Sequence, residues 1–331
     1  MRKVIVLLII MICGLLGRST AQVDPHFSQY YAYPLWLNPA LTGVIDGDAR
    51  VNANYKNQWP TINNAYQTGA LSVDFRPTEK VGIGFNMINQ SAGAVGYNYL
   101  AAYGSFGYAI TFDADGYHQL HFGVQAGLIN RSFDQSKLQL DDQYNPTSGF
   151  DPTLPSFENF SSTGATIFDA GAGVYYFNGD PESQANVFAG FSVAHLTQPK
   201  DPFATEGINS TLPMRYTLHG GVKINVSEGF DFTPHFIYIR QHDNQIRALG
   251  VYSEFKSNED DAFIIGGMYR YQDAAVVNVG YRLNNMILGL SYDFNTSQLN
   301  TATAGQGGIE LSLSYVFHKT SHDPAQVCPR F

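Results

Sequence analysis

From Val51 to Phe317 the chain has a dominant period of two, and this restricts its fold more than any other feature. In "GIELSLSYVF" the apolar set Ile309, Leu311, Leu313, Tyr315 and Phe317 alternates with Gly308, Glu310, Ser312 and Ser314. In "MILGLSYDF" Leu288 and Leu290 alternate with Gly289 and Ser291, and in "YTLHGGVKI" Tyr216 and Leu218 alternate with Thr217 and His219. Such alternation puts successive side chains on opposite faces of a pleated strand. About 14 segments carry it, starting near Val51, Ala70, Val81, Tyr99, Leu120, Ile167, Val187, Tyr216, Phe230, Ile246, Phe263, Ala275, Met286 and Ile309.

A soluble sandwich also alternates, because one face of each sheet meets water. Here the apolar faces are large and aromatic, with aromatics at strand ends, as in the girdles of outer-membrane barrels. The opposite faces are Gly-rich with isolated charges, which suits a narrow polar lumen. The connections sort by length as well. "PTEK" 77–80, "DADG" 113–116, "NGDPES" 178–183, "SEG" 227–229, "KSNED" 256–260 and "NN" 284–285 are short and turn-rich. The long connections, near 57–66, 89–98, 132–164, 197–213 and 295–307, fall in the alternate set, together with two short ones near Asp243 and Asp273. The expectation is an all-β, antiparallel transmembrane outer-membrane barrel of about 14 strands over 49–317.

What precedes the barrel reads in two parts. Arg2 and Lys3, the apolar run Val4 to Leu16 and the small residues before Gln22 predict a secretory signal over 1–21, too short in its apolar run to cross a bilayer as a helix. Losing Arg2, Lys3 and Arg18 moves the formal net charge from −9 to −12. An acidic chain lacks the positive footprint that nucleic acid requires. The second part, 22–48, contains "DPHFSQYYAYPLWLNPALTG", rich in aromatics but with neither helical nor strand period. A disordered leader rarely carries so much apolar surface. The segment is therefore expected to be a plug or periplasmic cap, held by Phe27, Tyr30, Trp36, Asn38 and Pro39. The residues after Phe317 form a tail, 318–331, expected on the periplasmic side. It carries Cys328, the one cysteine outside the signal and a candidate intermolecular thiol.

Several ordered blocks resemble the PorP/SprF family of type IX secretion system membrane proteins of Bacteroidetes. The opening block matches at Asp24, Pro25, Phe27, Ser28, Gln29, Tyr30, Asn38, Pro39, Ala40 and Gly43, and departs from the usual Asn at Tyr33. "YKNQWP" 55–60, "DDQYNPTSGFDPTLPSFE" 141–158, "GFSVAHLTQP" 190–199, "LPMRYTLHGGV" 212–222, "MYRYQDA" 268–274 and "GGIELSLSYVF" 307–317 follow in order. The resemblance implies a barrel that serves protein secretion rather than chemistry. It implies, as partner, a type IX-secreted gliding adhesin bound through its C-terminal sorting domain, with the periplasmic machinery as a further partner. The alternatives are a core link between that machinery and the outer membrane, and a passive pore or carrier of hydrophobic ligands.

The residues themselves offer two kinds of site. Tyr144, Phe150, Phe157, Phe160 and Phe203 sit among prolines and acids in the longest outer loops, where aromatics make good interface anchors. On the inward register lie His121, Asp169, His219 and Lys223, joined by Arg270, Arg282 and Glu310, expected as a polar network. No nucleophile elbow accompanies them, so neither a catalytic nor a cofactor-binding set is expected. Asp141, Asp142 and Asp151 leave room for a calcium ion in an outer loop, and "DADG" reads as a hairpin turn.

Overall fold

The computed structural model describes residues 24–62, 66–93, 96–138, 140–145, 147, 149–151, 153–154, 162–200, 211–258 and 260–318. The predicted signal, Phe157, Phe160, Phe203 and Cys328 lie outside them.

The alternating segments become β1 (Ala49–Gln58), β2 (Tyr66–Thr78), β3 (Val81–Ala92), β4 (Tyr97–Thr111) and β5 (His118–Ser132). A two-residue hairpin, β6 (Tyr144–Asn145) and β7 (Gly149–Phe150), stands apart in the long connection. The series resumes with β8 (Gly164–Asn178), β9 (Ala185–Ala194), β10 (Arg215–Ser227), β11 (Phe230–Gln241) and β12 (Asn244–Lys256). It ends with β13 (Asp261–Arg270), β14 (Ala274–Leu283), β15 (Met286–Asn295) and β16 (Gln306–Phe317). Leaving out the hairpin, the strands close antiparallel into one 14-strand barrel, sealed by β1 on β16 from Ala49↔Phe317 to Gln58↔Gly308. Where neighbouring strands pair, closure removes the free edges that an open sheet would present.

The register follows the sequence period. Leu218, Leu288, Leu290, Leu311 and Leu313 are exposed on the outer face, while their neighbours Thr217, Ser291 and Glu310 are buried. The short connections lie at one end and the long ones at the other, which in outer-membrane barrels are the periplasmic and external sides. Asn284 of the "NN" turn has φ 49°, a left-handed conformation that asparagine tolerates and tight hairpins need. In "DADG" the Asp113 carboxylate accepts from the Tyr117 and His118 amides at 3.1 and 2.9 Å, so the motif is a turn. Strands β4, β5 and β8 are the longest, at 15 residues each, and form a tall side of the wall.

The lumen is not simply polar. Inward positions also carry Ile88, Tyr99, Tyr103, Ile129, Tyr175, Phe177 and Phe188, all buried in two apolar clusters. Their partners come from the segment before β1: Phe27, Tyr33 and Trp36 in one cluster, Leu37, Ala40, Leu41 and Val44 in the other. Burying side chains of this size is worth about 1.5–3 kcal/mol each. Prolines set the path, Pro34 opening a single helical turn (Pro34–Leu37) and Pro39 a 3-10 turn (Pro39–Leu41).

Candidate functional site

An irregular segment has few backbone partners of its own, so the wall must supply them. It does so at four levels. Beside the short-turn end, the Gly43 amide donates to Asp74 at 3.0 Å and Thr42 Oγ1 donates to Ser105 Oγ at 2.8 Å. Arg50 pairs with Asp74 at 2.9 Å. One step up, Asn38 Nδ2 donates to the Val174 carbonyl at 2.9 Å and lies 3.3 Å from His219 Nε2, whose ring stacks on Tyr175. Pro39 and Ala40 cross directly over Gly123, where a Cβ would collide with their backbone. Glycine at this position is what lets the two chains approach.

The third level is a buried charge cluster. The Glu310 carboxylate accepts from the Ser28 and Gln29 amides at 2.7 and 2.9 Å. Ser28 Oγ donates to Asp293 at 2.7 Å and receives Arg270 at 2.8 Å and Lys56 at 3.0 Å. Arg270 also reaches Asp293 at 2.9 Å. Two bases and two acids balance in formal charge, which suits burial better than any lone charge.

The fourth level holds the start of the described chain at the long-loop end. His195 Nε2 is 2.7 Å from Asp24 Oδ2 and Nδ1 is 2.8 Å from Asp169 Oδ2. Both ring nitrogens face carboxylates, so both act as donors and the ring is an imidazolium. Arg215 pairs with Asp24 at 3.0 Å, and its guanidinium lies over the Trp36 ring at 4.6 Å. Tyr103 and Thr197 donate to Asp169 at 2.8 and 3.0 Å. Burial alone pushes the His195 imidazole down, but Asp24 and Asp169 outweigh it and its pKa rises to about 9. Burial likewise pushes the Asp24 carboxyl up, and His195 and Arg215 outweigh that, holding it well below the usual carboxylate range.

The segment therefore runs the length of the lumen, from the long-loop mouth at Asp24 to the short-turn end at Asp48, whose amide meets the Phe317 carbonyl at 2.8 Å. The predicted anchors fall along it: Asn38 and Pro39 at the second level, Trp36 at the fourth. Phe27 packs edge-on to Tyr33, and Tyr30 OH lies 2.6 Å from His235 Nδ1.

The expected single lumen network is instead several separate groups. Asp169 joins the fourth level, His219 the second, and Arg270 and Glu310 the third. Lys223 pairs with Asp231 near the short-turn end at 3.0 Å, sharing it with Lys256. Arg282 pairs with Glu254. His121 stacks on Phe177 and lies 3.0 Å from the Gln119 amide oxygen. The residues that carry the anchoring and were not singled out are Asp24, Ser28, Gln29, Lys56, His195, Arg215 and Asp293. Lys56, Arg215 and Asp293 carried the signal of parity, on inward strand positions, while Asp24, Ser28, Gln29 and His195 lie off the strands, where only the matched blocks mark them.

At the long-loop mouth a cavity of about 1000 Å³ opens above the segment. Tyr30, Leu37, Ile237 and Met268 give it apolar lining; Gln58, Gln245 and Arg247 add polar groups. In the loop above the wall, Tyr144 is exposed and faces Phe150 across the β6–β7 hairpin. Among the described residues no group of three or more acidic, His or Cys side chains gathers to hold a metal ion, and Asp151 instead caps Thr153 at 2.9 Å.

A closed wall with an apolar outer face and a buried polar inner register defines an outer-membrane β-barrel. Within that class the chain belongs to the PorP/SprF family, described as type IX secretion system membrane proteins, whose profile matches residues 19–315. It is therefore an outer-membrane component of that secretion system. No curated protein matches the chain. Among solved structures it is similar to the Ralstonia pickettii toluene transporter TbuX, with a TM-score of 0.54 at 12% identity over 92% of this chain and 98% of that one. It is also similar to the CymD monoaromatic hydrocarbon channel, with a TM-score of 0.50 at 10% identity over 90% and 96% of the two chains. At such identities the likeness concerns the fold alone.

Proposed function

We propose that this barrel binds a large type IX-secreted surface adhesin through its C-terminal sorting domain, and helps secrete it or anchor it at the cell surface. The observation that supports this is the division of labour along the barrel axis. The lumen is committed to the chain's own segment at four levels, whereas the long-loop end keeps an open cavity and exposed aromatics. A partner approaching from outside meets Tyr144 and Phe150 first. Aromatics on short hairpins bury large area at low entropy cost, which suits binding of a protein surface. Removing residues 144–157 leaves the barrel in the outer membrane, still heat-modifiable, while the adhesin is lost from the cell surface. Normal adhesin display at normal barrel levels overturns the reading.

A second reading, a carrier of hydrophobic ligands, draws on the apolar lining of the outer cavity around Leu37, Ile237 and Met268. It needs a route past the segment, and conductance separates it from the first.

A further inference from the structure

β8 pairs with β5 along its whole length, from His118↔Asn178 to Ser132↔Gly164. With β9 it pairs only from Ala172 to Phe177. The outer half of β8 therefore has a strand on one side only. The direction of its backbone groups is fixed by their contacts. The Ala170 carbonyl accepts the Leu196 amide at 2.9 Å and the Phe168 carbonyl accepts Thr197 Oγ1 at 3.2 Å, so even-numbered residues face the β9 side. The Thr163 carbonyl accepts the Phe133 amide at 3.0 Å, so odd-numbered residues face β5. Gly164 is closed locally by the Ser162 hydroxyl, which donates to its carbonyl at 2.6 Å. The Thr166 N–H and C=O and the Phe168 N–H are left without a partner among the described residues.

The fourth anchoring level keeps this edge open. After Ala194 the chain leaves the sheet at His195, which has φ 59°, and a turn brings the Gln198 amide to the His195 carbonyl at 3.1 Å. His195 is held on both ring nitrogens by Asp24 and Asp169. β9 cannot extend along β8 without breaking both contacts. The edge also emerges where it can stay open without cost from lipid. On the outer face the register passes from the apolar pair Leu128↔Phe168 to the polar pair Asn130↔Thr166, whose side chains bond at 2.9 Å. Open backbone groups inside hydrocarbon would each cost several kcal/mol, whereas at the polar boundary water serves them until a strand arrives.

We propose that the outer half of β8 is a docking edge to which an extended strand of the exported partner adds, continuing the barrel wall outward. The proposal rests on the partner-binding reading above and gives it an address. Backbone groups spaced as a ladder select an extended polypeptide over any small ligand, and the exposed Phe168 and Leu196 beside them offer an apolar contact to an alternate side chain.

The test uses the full barrel in detergent and, as probe, an adhesin C-terminal sorting domain fused to a fluorescent protein. Thr166→Pro removes the open N–H, and Thr166→Val removes only the hydroxyl. The expected result is a Kd raised roughly tenfold by Thr166→Pro, the loss of one or two strand hydrogen bonds, and left unchanged by Thr166→Val. Hydrogen exchange on the wild type needs no variant to fold. The Thr166 and Phe168 amides should exchange quickly in the free barrel and slow by about a hundredfold in the complex. Undiminished binding by Thr166→Pro, or amides that stay fast in a formed complex, overturns the edge and leaves the partner reading standing. Amides already protected in the free barrel overturn it too, by giving the edge to the chain's own 201–210. A wild-type barrel that binds no domain removes both proposals.

Discussion

His195 is the residue whose chemistry reaches furthest. Its folded pKa stands at about 9, above the ordinary imidazole value, so its contribution to docking is complete below about pH 6.5 and is lost as pH rises through 9. Asp24 has the opposite sign: its pKa is lowered, so its contribution is present above the ordinary carboxylate range and is lost as pH falls through the lowered value. The outer anchor is therefore at full strength from about pH 4 to 6.5 and weakens progressively as pH rises toward 9. In a Trp59→Phe background the fluorescence reports Trp36, which stacks under Arg215. Its emission should shift to the red with a midpoint near pH 9, and His195→Gln should abolish that transition. A shift that persists in His195→Gln would assign it to another group. None of this was legible in the sequence, where Asp24 and His195 are 171 residues apart. Parity says which way a strand residue points; it does not say which inward residues meet, or that a residue just past a strand end turns back into the lumen.

At the scale of elements, strands and segment differ in legibility for one reason. A strand in a closed sheet must alternate, because one face meets lipid and the other does not, and that demand prints a period on the sequence. The segment answers to no repeating neighbour. Each of its residues meets a different strand: Ser28 reaches β15 and β16, Asn38 reaches β8 and β10, Thr42 reaches β4. Apolar load and prolines announced that it packs somewhere, while the path lay in long-range pairings. A plug or periplasmic cap was the most its composition supported; the chain climbs past Ser291, which Gln29 meets at 3.3 Å, to the other end. The path is checked by a disulfide. Thr42 Oγ1 and Ser105 Oγ are 2.8 Å apart, so Thr42→Cys with Ser105→Cys, in a Cys328→Ser background, should oxidise to a bridge that shifts the band on a non-reducing gel. Two free thiols in the oxidised, folded barrel would contradict the path.

For the whole molecule, the segment decides whether the barrel conducts. Wild-type protein in a planar bilayer is expected to be nearly silent. Gly123→Val, which drives a side chain into the Pro39–Ala40 backbone, should raise conductance while the barrel stays heat-modifiable. Gly104→Ala, where a Cβ meets nothing within 4 Å, should leave it silent. An open wild-type pore would favour the carrier reading. The barrel class, the strand number and the long-loop side were all legible, because each follows from a pattern repeated many times along the chain. The filled lumen was less so, since an inward Tyr or Ile at one strand position reads like any other residue until its partner is known.

Fourteen crossings return a chain to the side it started from, and Ala49 and Phe317 indeed pair at the short-turn end. The segment adds a fifteenth passage, so the described chain begins at one mouth and finishes its last strand at the other. A parity of this kind is a statement about order in time. The β1–β16 pairing closes the hoop, and a thread that lies inside the hoop has to be in place beforehand or be pulled through afterwards. The lumen is too full of Tyr, Phe and Trp for the second course to be easy. Insertion of the wall and seating of the thread are thus one event, and whatever stands ahead of Asp24 at that moment must be slim enough to go with it.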